Sequence, residues 1–493
     1  MPTNLKLIVK NILLLLLVIN LYSCKKDIAL VDATSFPNEI NTIMNTRCST
    51  SGCHNKKSAA AAGGLNLETW NDMLKGGNGG SIVIPFRSNR SWLSFYINTF
   101  PELGISLNPT MPVNQEHLSK EEVIIIQKWI DSGAPNSNRD IPFPTVERDK
   151  FYITNQGCDE VAVIDTKTKL VIRYIKVGLT NSVELPHKVV VSPDKKYWYV
   201  TFNGGSVVQK FDAFTDKLVG NIPVPFGLYN GLVISGNGKY GVITDLQSQG
   251  HVIYLDLDNL SVIYDDYDFD SPHGLGCTSD FSVIYFTLQN SNKIVKVIFN
   301  TNTNQIESRE EIDLVQNVST VSPLNPHEII FSPDYSKYYV SCQITPSVNG
   351  EVRVYKASND SLIEVIPVGI YPQEFAISAS LPYLFVTCTE DANPNPKSRG
   401  SVYAINYNTF QVVKILKEQL FQPHGIACDD KNNIVIVANR NIDTNGPAPH
   451  HSSDCGGRNG YVRAIDLNTL EFISGYKSEL SVDPYSVSAL VHD

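Results

Sequence analysis

The chain has 493 residues, 42% hydrophobic and 18% charged, with a formal net charge of −10. That length exceeds one ordinary hydrophobic core, so two domains are expected. The acidic balance, with no basic stripe to track phosphates, excludes nucleic acid as a partner.

Lys6 and Lys10 precede the apolar run Asn11 to Ile19, and Leu21-Tyr22-Ser23-Cys24 follows. A short basic region before a short apolar run is an export signal, too short for a permanent bilayer span. The Leu-x-Ser-Cys ending resembles the bacterial lipobox. The resemblance implies cleavage before Cys24, lipid on its thiol, a signal peptide over 1–23 and a tether over 24–35. Residues 1–23 carry two lysines and no acid, so the mature charge becomes −12. Lys25 stands where the inner-membrane retention signal of lipoproteins has Asp. This favours a lipid-anchored protein of the outer membrane, facing the periplasm or the cell surface.

Residues 36–136 are organised around Cys48-Ser-Thr-Ser-Gly-Cys53-His54. Covalent haem needs two thiols that add across the two vinyl groups, and a His directly after the second thiol to reach the iron. A disulfide or half a zinc site is the alternative use of such a pair, but no second Cys pair lies nearby. Before the motif, Ile40, Ile43 and Met44 share one face of a predicted helix. After it come Asn108-Pro109-Thr110-Met111-Pro112 and a predicted helix from Lys120, with Ser119 as N-cap, Glu122 three residues on, and Gly133 as the stop. This order resembles class I cytochromes c. The four-residue spacing between the cysteines resembles a variant found in exported bacterial lipoproteins. The resemblance implies a small all-α haem domain with one haem c, bound through Cys48 and Cys53, and His54 and Met111 as axial ligands. Met44, Met73 and His117 are the competitors of Met111.

Residues 137–149 read as a proline-rich linker. From residue 150 to 493 a segment recurs seven times: Pro186-His187-Lys188, Tyr229-Asn230-Gly231, Pro272-His273-Gly274, Pro326-His327-Glu328, Pro372-Gln373-Glu374, Pro423-His424-Gly425 and Pro484-Tyr485-Ser486. Each copy leads into further short β-rich runs, and four strands per roughly 45 residues is a propeller blade. The first strand, Phe151 to Asn155, lacks a partner before it and the last, from Pro484, lacks one after it, so the two are expected to pair. The phrases Tyr-Ile-Thr-Asn, Val-Ala-Val-Ile-Asp-Thr and Ser-Pro-Asp resemble the YVTN family, which implies an all-β seven-bladed propeller.

Four histidines, His187, His273, His327 and His424, occupy the same repeat position. The long loop over 441–459 adds His450 and His451. If all six gather at one channel mouth they suit copper or zinc; this layout is similar to the His-lined propeller of nitrous oxide reductases. Hydrogen bonding to neighbouring loops is the other reading of the repeated His. Cys277, Cys342, Cys388 and Cys428 are expected to be buried thiols, whereas Cys158 and Cys455 are candidates for a disulfide across the closure. The leading function is electron transfer with an unidentified redox protein, the propeller giving an interaction or substrate surface. One alternative is an oxidoreductase with a metal site at the histidine rim. Another is a propeller binding protein with auxiliary haem.

Overall fold

The computed structural model describes residues 35–315, 323–345, 347–395, 397–440, 455 and 459–492. Cys24 with its signal and tether, and His450 and His451 in the long loop, lie outside the described residues. No described helix is long and apolar enough to cross a membrane.

The strands form a β-propeller. Its first sheet has the order Pro484–Leu490, Lys150–Asn155, Glu160–Asp165, Leu170–Lys176. Alternate side chains of these strands face opposite ways, as the two-residue period requires. Phe151 and Ile153 pack with Ile434, Ile436 and Val462 of the last sheet, while Tyr152 and Val163 pack with Trp198, Val200 and Phe202 of the second. Sheets covered on both faces need near-continuous apolar strands, which is why the runs are rich in Val, Ile, Tyr and Phe.

The ring closes through its ends. Pro484–Leu490 pairs antiparallel with Lys150–Asn155, in register Lys150 to Leu490 and Tyr152 to Ser488. The expected pairing of first and last strands is therefore observed.

The same small devices recur around the ring. The turn to the outermost strand is held by Asp or Asn accepting from a backbone N–H three residues on, as in Asp165 with Thr168 (2.8 Å) and Asp466 with Thr469 (2.9 Å). At its inner end, a buried hydroxyl of one repeat donates to a carbonyl of the next. Thr154 donates to the His187 carbonyl (3.1 Å), Thr201 to Tyr229 (3.1 Å), Thr287 to His327 (3.1 Å), Ser341 to Gln373 (3.0 Å) and Thr387 to His424 (2.7 Å), with Thr244 to His273 in the same position. Ala438 holds the equivalent place before Asn439 and has no hydroxyl. At that seam Arg440 instead bridges Asp483, at 2.6 and 2.9 Å.

Two expectations are corrected. The described strands form six sheets, four of four strands, one of five and one of six, so the propeller has six blades rather than seven. The merger lies over 186–269, where Tyr197–Asp212 and Leu218–Ile234 run on as strands of 16 and 17 residues. The chain bends there without breaking its ladder. Bulges at Asn203/Gly205 and Gly205/Val207, with Gly204 at φ 139°, absorb the turn, so two sequence repeats share one sheet.

Residues 36–136 do not form a separate all-α domain. Among the described residues α-helix is confined to four short segments: α1 (Asn38–Ile43), α2 (Trp70–Met73), α3 (Trp92–Ile97) and α4 (Lys120–Asp131). Of these α4 carries the expected capping box of Ser119 and Glu122. Glycines at 63–64 and in Gly76-Gly77-Asn78-Gly79-Gly80 oppose helix between them. The segment is also docked on the propeller. Ile84 belongs to the core shared by the first and last sheets, and the Ser81 hydroxyl donates to the Val171 carbonyl (2.7 Å). Gly80, at φ 98°, comes so close that a Cβ would stand 2.7 Å from the Ser478 hydroxyl.

The docking is keyed by a buried carboxylate. Glu160 accepts from Arg90 Nε at 2.7 Å and from Arg87 Nη2 at 2.9 Å. Removing one member of a buried ion pair leaves the other charge uncompensated. Glu160→Gln is expected to cost about 3 kcal/mol in chemical denaturation and to speed proteolytic cleavage within residues 62–90; unchanged stability and cleavage would contradict this role.

Candidate functional site

Cys48, Cys53, His54 and Met111 all line one cavity of about 700 Å³. The local folding explains their convergence. After α1 a π-turn over Met44–Cys48 carries the chain to Cys48, and the His54 N–H donates back to the Cys48 carbonyl at 3.0 Å. This closes the motif into a loop with both thiols and the imidazole on one side. From the other part of the segment, the Met111 N–H donates to the Tyr96 carbonyl at the end of α3, at 2.7 Å. Met44 and Met73 are buried in the core behind and do not line the cavity, and His117 is exposed.

The residues present fit a haem of c type. The cavity falls within the roughly 300–1,000 Å³ of cofactor sites. Leu65, Leu67, Ile82, Leu93, Ile97 and Leu118 give it apolar walls. Gly52 and Gly63 add no side chain, and nothing stands within 4 Å of where either Cβ would be. His54 Nδ1 is buried without a hydrogen-bond partner, and burial holds the imidazole pKa below its ordinary value, opposed by the Leu65 and Ala62 backbone. A neutral imidazole is the form that ligates metal. Cys48 and Cys53 are not joined in a disulfide. Burial, and then the proximity of Cys53, pushes the Cys48 thiol up to about 12, so in the folded chain it is protonated and a poor nucleophile.

A second polar cluster lies on the propeller axis. Each innermost strand has a bulge just after its first residue, as at Pro186/Val189, Pro272/Leu275, Pro326/Ile329 and Pro423/Ile426, which re-aims the side chains between. His187, His273, His327 and His424 are all buried there. Their rings are in contact: His424 stacks on Tyr485 at 3.6 Å between centroids, while His273 meets His327 at 4.0 Å and His187 meets Tyr485 at 4.3 Å, both tilted. His187 Nδ1 pairs with the Gln156 amide (2.6 Å) and His273 Nδ1 with the His327 carbonyl (3.1 Å). Among the described residues no three His, Cys, Asp or Glu side chains are grouped to hold a metal ion. Cys158 and Cys455 are both free thiols, and Cys455 Sγ donates to the Gly157 carbonyl at 2.7 Å.

Sequence reasoning missed the charged residues beside these histidines. Lys188 Nζ reaches Glu374 at 2.6 Å and Glu328 at 3.0 Å, joining the second sheet to the fourth and fifth. The signal was present, because Lys188, Glu328 and Glu374 follow the His or Gln of their repeats and have complementary charge. Burial opposes the Lys188 charge, but the two carboxylates outweigh it and raise its pKa; burial holds Glu374 above the usual carboxylate range. Lys477 and Glu479, which bring the last sheet into the wall of the Cys48 cavity, carry no such signal.

The fold and its axial cluster define a β-propeller protein. No protein-family model matches the chain. It is 31% identical to Antigen Lp49 of Leptospira interrogans over 139 residues, 24% of this chain and 28% of that protein, so the match spans under a third of the relative's length. Among solved structures it resembles the hydrazine synthase of Kuenenia stuttgartiensis (15% identity, TM-score 0.50, 63% of this chain and 93% of that one). It also resembles a protein of Desulfotomaculum acetoxidans described as functionally unknown (11% identity, TM-score 0.53, 70% of this chain and 100% of that one). At these identities the likeness establishes the fold.

The axial histidines make stability fall in mild acid. Burial, foremost, keeps His273 near a pKa of about 4, and holds His187, His327 and His424 well below the ordinary value. The folded state therefore binds fewer protons than the unfolded one between the unfolded pKa of about 6.5 and those depressed values, and stability is lost as pH falls through that window. His273→Asn is expected to flatten the slope by about 1.4 kcal/mol per pH unit between pH 6 and 5 relative to wild type, read from denaturation midpoints; parallel profiles would contradict it.

Proposed function

We propose that this chain is an exported electron-transfer lipoprotein that carries one covalent haem c, with its propeller as the interaction or substrate surface. The observation that supports this reading is the shared cavity of Cys48, Cys53, His54 and Met111. Cys48 and Cys53 would hold the group through thioethers, with His54 and Met111 on the iron. When bound, haem supplies one-electron transfer, and a His and Met pair raises its potential relative to two histidines. The chain's own contribution is to exclude water with Leu65, Ile82 and Leu93, and to fix the His54 loop through the Cys48 carbonyl. Arg47 lines the cavity with its charge engaged by Glu122 at 3.2 Å. In this reading Cys24 bears the lipid and anchors the protein to the outer membrane, on its periplasmic or outer side, and the redox partner is another protein of the envelope.

Expression in a host competent for haem maturation tests the proposal. The wild type is expected to carry haem that survives denaturation, and the double variant Cys48→Ala, Cys53→Ala to carry none. Met111→Ala is expected to keep attached haem while losing the weak long-wavelength charge-transfer band of Met ligation. A wild-type protein without denaturation-resistant haem would overturn the reading. Cys24→Ala is expected to release the protein from the membrane fraction or leave an unprocessed precursor; unchanged fractionation and mass would remove the lipid anchor from the proposal.

A further inference from the structure

A smaller cavity, about 210 Å³, lies where the N-terminal segment and the stretch before the first strand meet the first and second sheets. Four cations line it, Arg87, Arg148, Lys150 and Arg173, against one carboxylate, Asp216. Glu160 and Asp165, which pair with Arg87 and Arg148 at 2.9 Å, stand outside its lining. Asp216 is already held by Lys150 at 2.9 Å and by the Tyr152 hydroxyl at 2.7 Å. The surplus positive charge falls on Arg173. Its hydrogen bonds go to the backbone carbonyls of Ile172 (2.7 Å), Phe143 (3.0 Å) and Pro142 (3.2 Å).

A guanidinium has five N–H donors and can donate two of them to one carboxylate, so three carbonyl contacts leave Arg173 with donor capacity. Burial, aided by Arg148 and opposed by Asp216, pushes its pKa down to about 10; an anion in the cavity would reverse that cost. Beside these charged groups and the hydroxyls of Thr145, Tyr174 and Thr215, the lining has an apolar part made by Pro85, Phe86, Phe143, Val146 and Phe214. Phe86 lies with its ring 5.5 Å from the Arg173 guanidinium. Phe86 and Phe214 line the cavity while 48% and 51% exposed, so both rings offer open apolar surface beside the Arg173 guanidinium. The volume is below the roughly 300–1,000 Å³ of sites for drug-sized ligands, which limits the ligand to one ring or a short chain.

We propose that this cavity binds a small organic monocarboxylate, its anion on Arg173 and its apolar body against Phe86 and Phe214. The ligand would touch the N-terminal segment at Phe86 and the first sheet at Arg173, tying the two together. The site stands apart from the Cys48 cavity and does not depend on haem.

Calorimetric titration of the full chain with benzoate tests this, with sulfate as the anion that lacks an apolar body. Saturable benzoate binding is expected, weakened about tenfold or more by Arg173→Gln, the loss of one charge-assisted contact. Phe214→Ser, on an exposed turn and without a change of charge, is expected to weaken benzoate several-fold and leave sulfate unchanged, and serves also if Arg173→Gln fails to fold. Absence of saturable benzoate binding, benzoate binding indifferent to both substitutions, or sulfate bound as tightly as benzoate would each overturn the proposal.

Discussion

The pairing of Pro484–Leu490 with Lys150–Asn155 is the constraint on which the rest of the molecule depends. Each sheet buries both faces against its neighbours, so none is stable as an isolated unit, and an open ring would leave two apolar faces and two unpaired edges. Closure joins residues more than 300 positions apart, and that is an entropic cost which grows slowly with loop length. The neighbouring joint, between the last sheet and the Pro484 strand, is where the repeating hydroxyl contact lapses, at Ala438. An ion pair between Arg440 and Asp483 takes its place, so the joint relies on charge where the other joints rely on neutral hydroxyls.

The N-terminal segment takes its shape from that ring. It has few regular elements of its own, and part of its order comes from what it lies on: Ile84 in a core made by the first and last sheets, Arg87 and Arg90 on Glu160, Gly80 against Ser478. The cavity shared by Cys48, His54 and Met111 has Lys477 and Glu479 of the last sheet in its wall. The last sheet is thus part of the cavity wall, and with the contacts above the two parts of the chain share buried surface.

Much of this was legible in the chain because the signals were local or periodic. The capping box of Ser119 and Glu122, the recurring Pro-His segments and the unpartnered strands at the two ends depend on near neighbours or on repetition. The merger over 186–269 was not legible, because a recurring segment marks a repeat and not where one sheet ends, and Gly204 and Gly205 form bulges within a continuous strand. The helical character expected of 36–136 was overestimated because motif order was read as architecture, while the glycines between the motifs disfavour helix. At the axis the repeat period marks four histidines as equivalent, and they are buried there. It could not give their ring orientations, which follow the bulges and, for His187 and His424, contact with Tyr485.

The Lys188 bridge has a consequence for traffic through the ring. By joining non-adjacent sheets, its ammonium and the two carboxylates span the middle of the propeller and act as a stopper. Anything passing along the axis would have to break a charged, largely desolvated contact, a high toll for a solute. A solute held on one side of that contact is thus kept from the other side by three buried charges, each compensating another.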